Sequence, residues 1–292
     1  MKVATAAYNL DWLDSWAQYE DKLDRWVSEA AGQGAELLVF PEYGAMELST
    51  LDGADVAGDL ERSIRAVSDR MEDVHNLHTR LAQAHKIYIL GASAPVNDGF
   101  RRPVNRAAFY APGGGCDHQD KQIMTRFERE EWDIAPGGPI KLFDTELGKI
   151  GVLICYDGEF PLLGRALQEA DLILVPSCTE ALSGYWRVRI GAMSRALENQ
   201  CVTVMASLVG NNDWSEAVDK NTGTGGVFGP PDKGFPQTGV LAEGTLNQPG
   251  WVFADVDLSA IANVRADGHV LNRTHWHEQL PRAETVIISP LS

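Results

Sequence analysis

The sequence predicts an α/β fold in which a mixed sheet is covered on its faces by helices. Short aliphatic runs such as ELLVF at 36–40 and LILV at 172–175 are apolar almost throughout, the pattern of strands buried on both faces. Longer stretches with apolar residues at helical spacing lie between them, in a chain of 292 residues that can bury a large core. Two hairpin-like segments interrupt the alternation, so the sheet is expected to be mixed rather than purely parallel.

In chain order, residues 2–8 read as a first strand. Residues 15–31 place Trp16, Leu23, Trp26, Val27 and Ala30 on one helical face, with Gly32 and Gly34 ending the helix. The strand 36–40 runs into Pro41-Glu42. Residues 59–84 predict a second long amphipathic helix, followed by a strand at 87–92. Segments 105–110 and 118–122 flank Ala111-Pro112-Gly113-Gly114-Gly115, a hairpin with a loose tip. Segments 140–143 and 149–154 flank another turn. A helix at about 160–169, the strand 172–175, a helix at about 185–199 and the strand 202–208 follow. The Gly- and Pro-rich stretch 221–257 holds short strands at 225–228, 239–243 and 250–256. Without a composition break or a repeat, residues 1–267 are expected to form one domain. Residues 268–292 read as a tail that packs on a neighbouring subunit.

Composition narrows the function. A formal net charge of -16 argues against nucleic acid or an anionic membrane as partner. Cys116, Cys155, Cys178 and Cys201 have neither the density nor the spacing of a disulfide framework or zinc site. Asp11 and Asp14 interrupt the N-terminus before a signal-peptide core could form, and no apolar run approaches the roughly 20 residues of a membrane span. A cytoplasmic protein without metal or cofactor is the expectation. His275 and His277 lack a third ligand at suitable spacing, and the glycines at 113–115 are not followed by the Lys-Ser/Thr of a phosphate loop.

The chemistry-bearing segment is GKIGVLICYDGEFP at 148–161, a buried strand that ends in Cys155 and a polar turn. There a thiol leaves the core, and the N–H of Tyr156 can point at a developing oxyanion. A thiol with an ordinary pKa near 8.5 needs a base or a positive charge nearby, and no histidine lies near the strand ends. Glu42, after the strand LLVF, and Lys121, closing HQDKQI, could supply both: the carboxylate would take the thiol proton and the ammonium would stabilise charge on sulfur and oxygen. Glu130 lies in the charge-rich loop RFEREEWDIAPGG. Taken singly, each of these residues also fits a plain structural or surface role.

Together, VFPE at 39–42, the lysine of HQDKQI, GKIGVLICYDGEFP and RALEN at 195–199 resemble the nitrilase, or carbon–nitrogen hydrolase, superfamily along nearly the whole chain. The resemblance implies a four-layer αββα sandwich, a carbon–nitrogen hydrolase domain over 1–267 and a Glu–Lys–Cys triad at Glu42, Lys121 and Cys155. It maps a second family glutamate onto Glu130. Tyr43, Tyr156 and Ser177, by their places beside the expected base and nucleophile, are expected to line the pocket, and the resemblance adds Thr179 and Glu180 from the loop after Val175-Pro176. It leaves open whether Arg187 or Arg189 meets a substrate carboxylate. Cys178 reads as pocket wall or core. A homodimer or larger even homo-oligomer is implied too. Leu162, Met193 and the run Met205-Ala206-Ser207 depart from the common pattern, so no substrate transfers with the motifs.

Cys155-Tyr156-Asp157 is the form common in amidases, whereas true nitrilases commonly carry Cys-Trp-Glu. The reading is therefore a cysteine-dependent hydrolase of a non-peptide C–N bond, a small-molecule amidase acting through a thioester. The alternatives are a nitrilase, an N-acyltransferase with the same triad, or a catalytically silent scaffold.

Overall fold

The computed structural model describes residues 1–99 and 101–291. The first half runs β1 (Lys2–Asn9), α1 (Trp16–Gly32), β2 (Leu37–Val39), α2 (Ala54–Ala57), α3 (Leu60–Ser68), α4 (Met71–His85), β3 (Tyr88–Leu90), β4 (Ala94–Val96), β5 (Val104–Tyr110) and β6 (Cys116–Asp120). The second half begins with α5 (Arg126–Glu130), β7 (Leu142–Thr145), β8 (Gly148–Val152), α6 (Pro161–Ala166), β9 (Leu172–Ser177) and α7 (Leu182–Asn199). It ends with β10 (Val202–Asn211), β11 (Lys220–Asn221), β12 (Gly226–Phe228), β13 (Val240–Glu243), β14 (Gly250–Asp255) and α8 (Leu258–Asp267). Helical turns follow within 272–283.

Strands β1 and β10 pair in parallel only near their C-terminal ends, where Ala7 meets Ser207 and Asn9 meets Val209. Before that point each turns to other partners. Strand β1 lies between β2 and antiparallel β14, and β10 lies between β9 and antiparallel β12. The result is two sheets joined where the C-terminal ends of β1 and β10 meet, ordered β6-β5-β3-β2-β1-β14 and β7-β8-β9-β10-β12-β13.

Side-chain alternation sets the layers. Val3, Leu37, Val39, Tyr88 and Leu90 share one core with Val152, Leu174 and Val204 of the other sheet. Their sequence neighbours Ala4, Leu38 and Ile89 face the opposite way, onto Leu23 and Val27 of α1 and Leu77 and Leu81 of α4. Helix α7 covers the far side of the second sheet with Tyr185, Val188 and Ala192. This is the expected αββα sandwich. It explains why the central strands are apolar at every position: both of their faces are packed.

Two helices differ from the sequence expectation, each for a local reason. The stretch 59–84 is broken into α3 and α4. The guanidinium of Arg70 takes the carbonyl of Ala66 at 2.6 Å, so the Arg70 N–H turns to Val67 instead, and Asp52 holds the same guanidinium in place. Helix α6 stops at Ala166 because the Asn199 side chain takes the Gly164 carbonyl at 2.8 Å, which a longer helix would offer to Gln168. Among the described residues no helix is long and apolar enough to cross a membrane.

Candidate active site

Three strands end at one place. Glu42 follows β2, Lys121 follows β6, and Cys155 follows β8 at the start of a 3-10 turn over Cys155–Glu159. Cys155 adopts a left-handed backbone with φ 50°, as does Tyr43 with φ 56°. Such a conformation costs a residue with a side chain about 1–2 kcal/mol, and here it aims the thiol out of the sheet. The turn is braced from α7. Arg195 donates to the Gly158 carbonyl at 3.1 Å, and Gly191 lies so close that a Cβ there would sit 2.7 Å from that same oxygen.

Lys121 is the hub. Its ammonium donates to Glu42 Oε1 at 2.7 Å and to both oxygens of Glu128 at 2.8 and 2.7 Å, all with side chains at most 3% exposed. Glu42 also accepts from the Asn105 side chain (3.0 Å) and from the Cys178 N–H (3.0 Å). The Cys155 thiol lies 3.7 Å from the Cys178 carbonyl, so the main chain of one residue touches both Glu42 and Cys155. Asp157 accepts the N–H groups of Gln122, Ile123 and Ile154, tying the loop after Lys121 to the turn that carries Cys155.

The electrostatics follow from burial and from one ammonium serving two carboxylates. Burial pushes the Cys155 thiol well above its ordinary pKa, Glu42 adds to the rise, and Lys121 only partly opposes it. The thiol is therefore neutral at rest. Burial also raises the Glu42 carboxyl against the pull of Lys121, which makes it a stronger base. For Glu128, burial is outweighed by Lys121 and by donors from Tyr43 and Thr125, and its pKa falls. For Lys121, burial is outweighed by Glu128 and Glu42, and the ammonium is held. Burial carries Asp157 up to about 7 despite Lys121 and its N–H donors.

The sequence-predicted residues separate clearly. Glu42, Lys121 and Cys155 come together on the floor of a cavity of about 760 Å3, and Tyr43, Tyr156, Thr179 and Glu180 line it. Glu130 does not belong there. Its side chain is 54% exposed and pairs with Arg126 one turn away on α5. The glutamate on Lys121 is Glu128, two residues earlier, because the short helix presents its first turn inward. The overlooked signal was the pattern Thr125-x-x-Glu128, which forms a capping box that fixes Glu128 at the helix start. Ser177 is also displaced from its expected role. It is buried within the sheet, donating to the Ala206 carbonyl and touching Ser207, and it does not line the cavity. Of the two arginines left open, Arg187 lines the cavity while Arg189 is paired with Glu243. Asn105 and Asp157 were overlooked as well, since a lone polar residue in a strand or turn carries no mark of its contacts. Among the described residues no His, Cys, Asp or Glu group is arranged to hold a metal ion.

A family model for carbon-nitrogen hydrolases matches residues 2–266. The chain belongs to that family. A probable hydrolase, YhcX, of Bacillus subtilis is 32% identical over 92% of the chain, and the chain spans only 52% of that relative's length. The omega-amidase NIT2 of Danio rerio is 26% identical over 82% of each chain. Among solved structures, Nit3 of Saccharomyces cerevisiae matches with a TM-score of 0.71 at 23% identity, over 91% of this chain and 93% of that one. An amidase from Nesterenkonia sp. AN1 with acrylamide added at its active-site cysteine matches with a TM-score of 0.68 at 23% identity, over 91% and 97%.

Proposed function

We propose that the chain is a small-molecule amidase that works through a thioester on Cys155. The observation that carries this reading is the buried Glu42–Lys121–Glu128 cluster beside a neutral thiol on the cavity floor. Glu42 takes the thiol proton as the sulfur attacks the amide carbon. The ammonium of Lys121 and the N–H of Tyr156 hold the tetrahedral oxyanion. Tyr156 is suited to this because the first N–H groups of a helical turn have no partner inside it. Glu42 then passes its proton to the departing amine, and a water activated by Glu42 hydrolyses the thioester. Glu128 keeps Lys121 charged and in place, the role first expected of Glu130.

Tyr43, Tyr156, Thr179 and Glu180 are the substrate-facing residues in this scheme. Relatives named for nitrile and for amide hydrolysis both resemble the chain, so the preference for an amide rests on Cys155-Tyr156-Asp157, the form common in amidases. Exposed Leu162, Leu182, Trp186 and Ile190 on and beside α6 and α7 support assembly into a homodimer through that face.

The test is mass spectrometry and ammonia release with a panel of small amides. Wild-type protein is expected to show a transient acyl adduct on Cys155 and to release ammonia, and Cys155→Ala to do neither. Turnover of amides by Cys155→Ala at the wild-type rate would sink the scheme. An adduct captured by an added amine rather than by water would make the chain an acyltransferase.

A further inference from the structure

Asn105 lies on β5 and is fully buried, between two members of the catalytic cluster. Its backbone carbonyl accepts the Lys121 N–H at 2.9 Å, and its side-chain amide donates to Glu42 Oε1 at 3.0 Å. The other end of that amide, Oδ1, is buried with no hydrogen-bond partner among the described residues. A buried amide with an idle oxygen is a costly arrangement and calls for an explanation. Turning the amide over would set two acceptors 3.0 Å apart, so the observed orientation is the one that serves an ionised Glu42.

The hydrogen bonds of Glu42 then make a pattern. Lys121 and Asn105 both donate to Oε1, and the Cys178 N–H donates to Oε2. With Oε1 occupied twice, the free lone pair is on Oε2. That oxygen is bonded to the same residue whose carbonyl meets the Cys155 thiol.

We propose that Asn105 is a positioning residue for Glu42, its amide fixing the rotation of the carboxylate so that Oε2 faces the Cys155 thiol. This rests on the reading of Glu42 as the base for Cys155. It acts through Glu42 and does not touch substrate. Losing the amide has two consequences. The carboxylate gives up a donor that favours its charged form, so a higher pH is needed to ionise it. It also becomes free to turn about Lys121.

Alkylation of Cys155 by iodoacetamide tests this without a known substrate. The sulfur displaces iodide, the S–CH2 bond forms, and the thiol proton goes to Glu42. The rate is read at the Cys155 peptide by mass spectrometry across pH 4–9, for wild type, Asn105→Leu and the smaller Asn105→Ser, with melting temperatures alongside. In wild type the rate rises along an acid limb as Glu42 ionises. In the variants the limb moves to higher pH and the rate at neutral pH falls about tenfold to a hundredfold, the range for losing a hydrogen bond to a charged group. Asn105→Ser, which removes volume rather than adding an apolar surface, keeps the test open if Asn105→Leu does not fold. Folded variants whose limb stays at the wild-type pH would overturn the proposal while leaving Glu42 as the base. A wild-type profile without an acid limb would overturn the base assignment and the proposal with it.

Discussion

Replacing Glu128 by glutamine, with Glu130→Gln as comparison, separates the glutamate that the fold selects from the one its sequence position pointed to. Glu128 Oε1 accepts from Lys121 at 2.8 Å and Tyr43 at 2.7 Å, and Oε2 accepts from Lys121 at 2.7 Å and from the Thr125 N–H and hydroxyl at 2.8 Å each. A glutamine keeps one oxygen. Whichever way its amide is turned, an NH2 group faces the Lys121 ammonium, and the negative charge is gone. Breaking a buried pair by removing one partner costs about 3–5 kcal/mol, and Lys121 retains Glu42, so about 3 kcal/mol is the better figure. For a chain of this size that is a melting temperature lower by about 6–12 °C. Lys121, held from one side only, becomes a poorer oxyanion donor, and turnover falls by up to about a hundredfold. Glu130 sits in solvent, so Glu130→Gln is expected to melt and turn over like wild type. The measurements are differential scanning calorimetry and initial rates on any amide that wild type cleaves. Two variants that cannot be told apart would refute the reasoning.

Two further perturbations follow from particular contacts. A Cβ on Gly191 would lie 2.7 Å from the oxygen and 3.0 Å from the carbon of Gly158, both main-chain atoms of the turn that carries Cys155. Gly191→Ala is therefore expected to lower the rate of Cys155 alkylation at least about tenfold and to cost about 1–3 kcal/mol, whereas Gly113→Ala, with open space around it, changes neither; equal behaviour of the two counts against the tight packing. His78 is buried and stacked on Tyr110 with ring centroids 4.9 Å apart, and desolvation lowers its pKa to about 4. The unfolded chain takes up this proton near pH 6.5 and the folded one does not, so stability complete above about 6.5 is lost as pH falls towards 4, by about 3 kcal/mol in all. His78→Phe is expected to narrow the melting difference between pH 7 and pH 4.5, and parallel melting curves for variant and wild type would count against it.

Much of this architecture is legible in the sequence because it depends on short-range pattern. The doubly apolar runs at 36–40 and 172–175 mark strands packed on both faces, and the spacing of Leu23, Val27 and Ala30 marks the buried face of α1. Glu42, Lys121 and Cys155 are legible too, since each stands just beyond a recognisable strand within a motif. Where prediction of helix ends failed, a side chain had taken a carbonyl from the helix ladder, from the next turn in one case and from another helix in the other. Arg70 and Asn199 each take a helix carbonyl, and so decide where α3 and α6 stop.

The sequence by itself thus determined the layered α/β class and the strand ends at which Glu42, Lys121 and Cys155 meet. Local hydrophobic pattern and residue chemistry suffice for these. Tertiary structure decided which glutamate of RFERE meets Lys121, because Glu128 and Glu130 lie about 200° apart around α5 and only Glu128 faces the ammonium. It alone decided that Ser177 lies inside the sheet, that Asn105 and the Cys178 N–H hold Glu42, and that Asp157 joins two loops 34 residues apart. Each is a contact between residues far apart in the chain, and in a buried site of low dielectric such contacts set which groups carry charge.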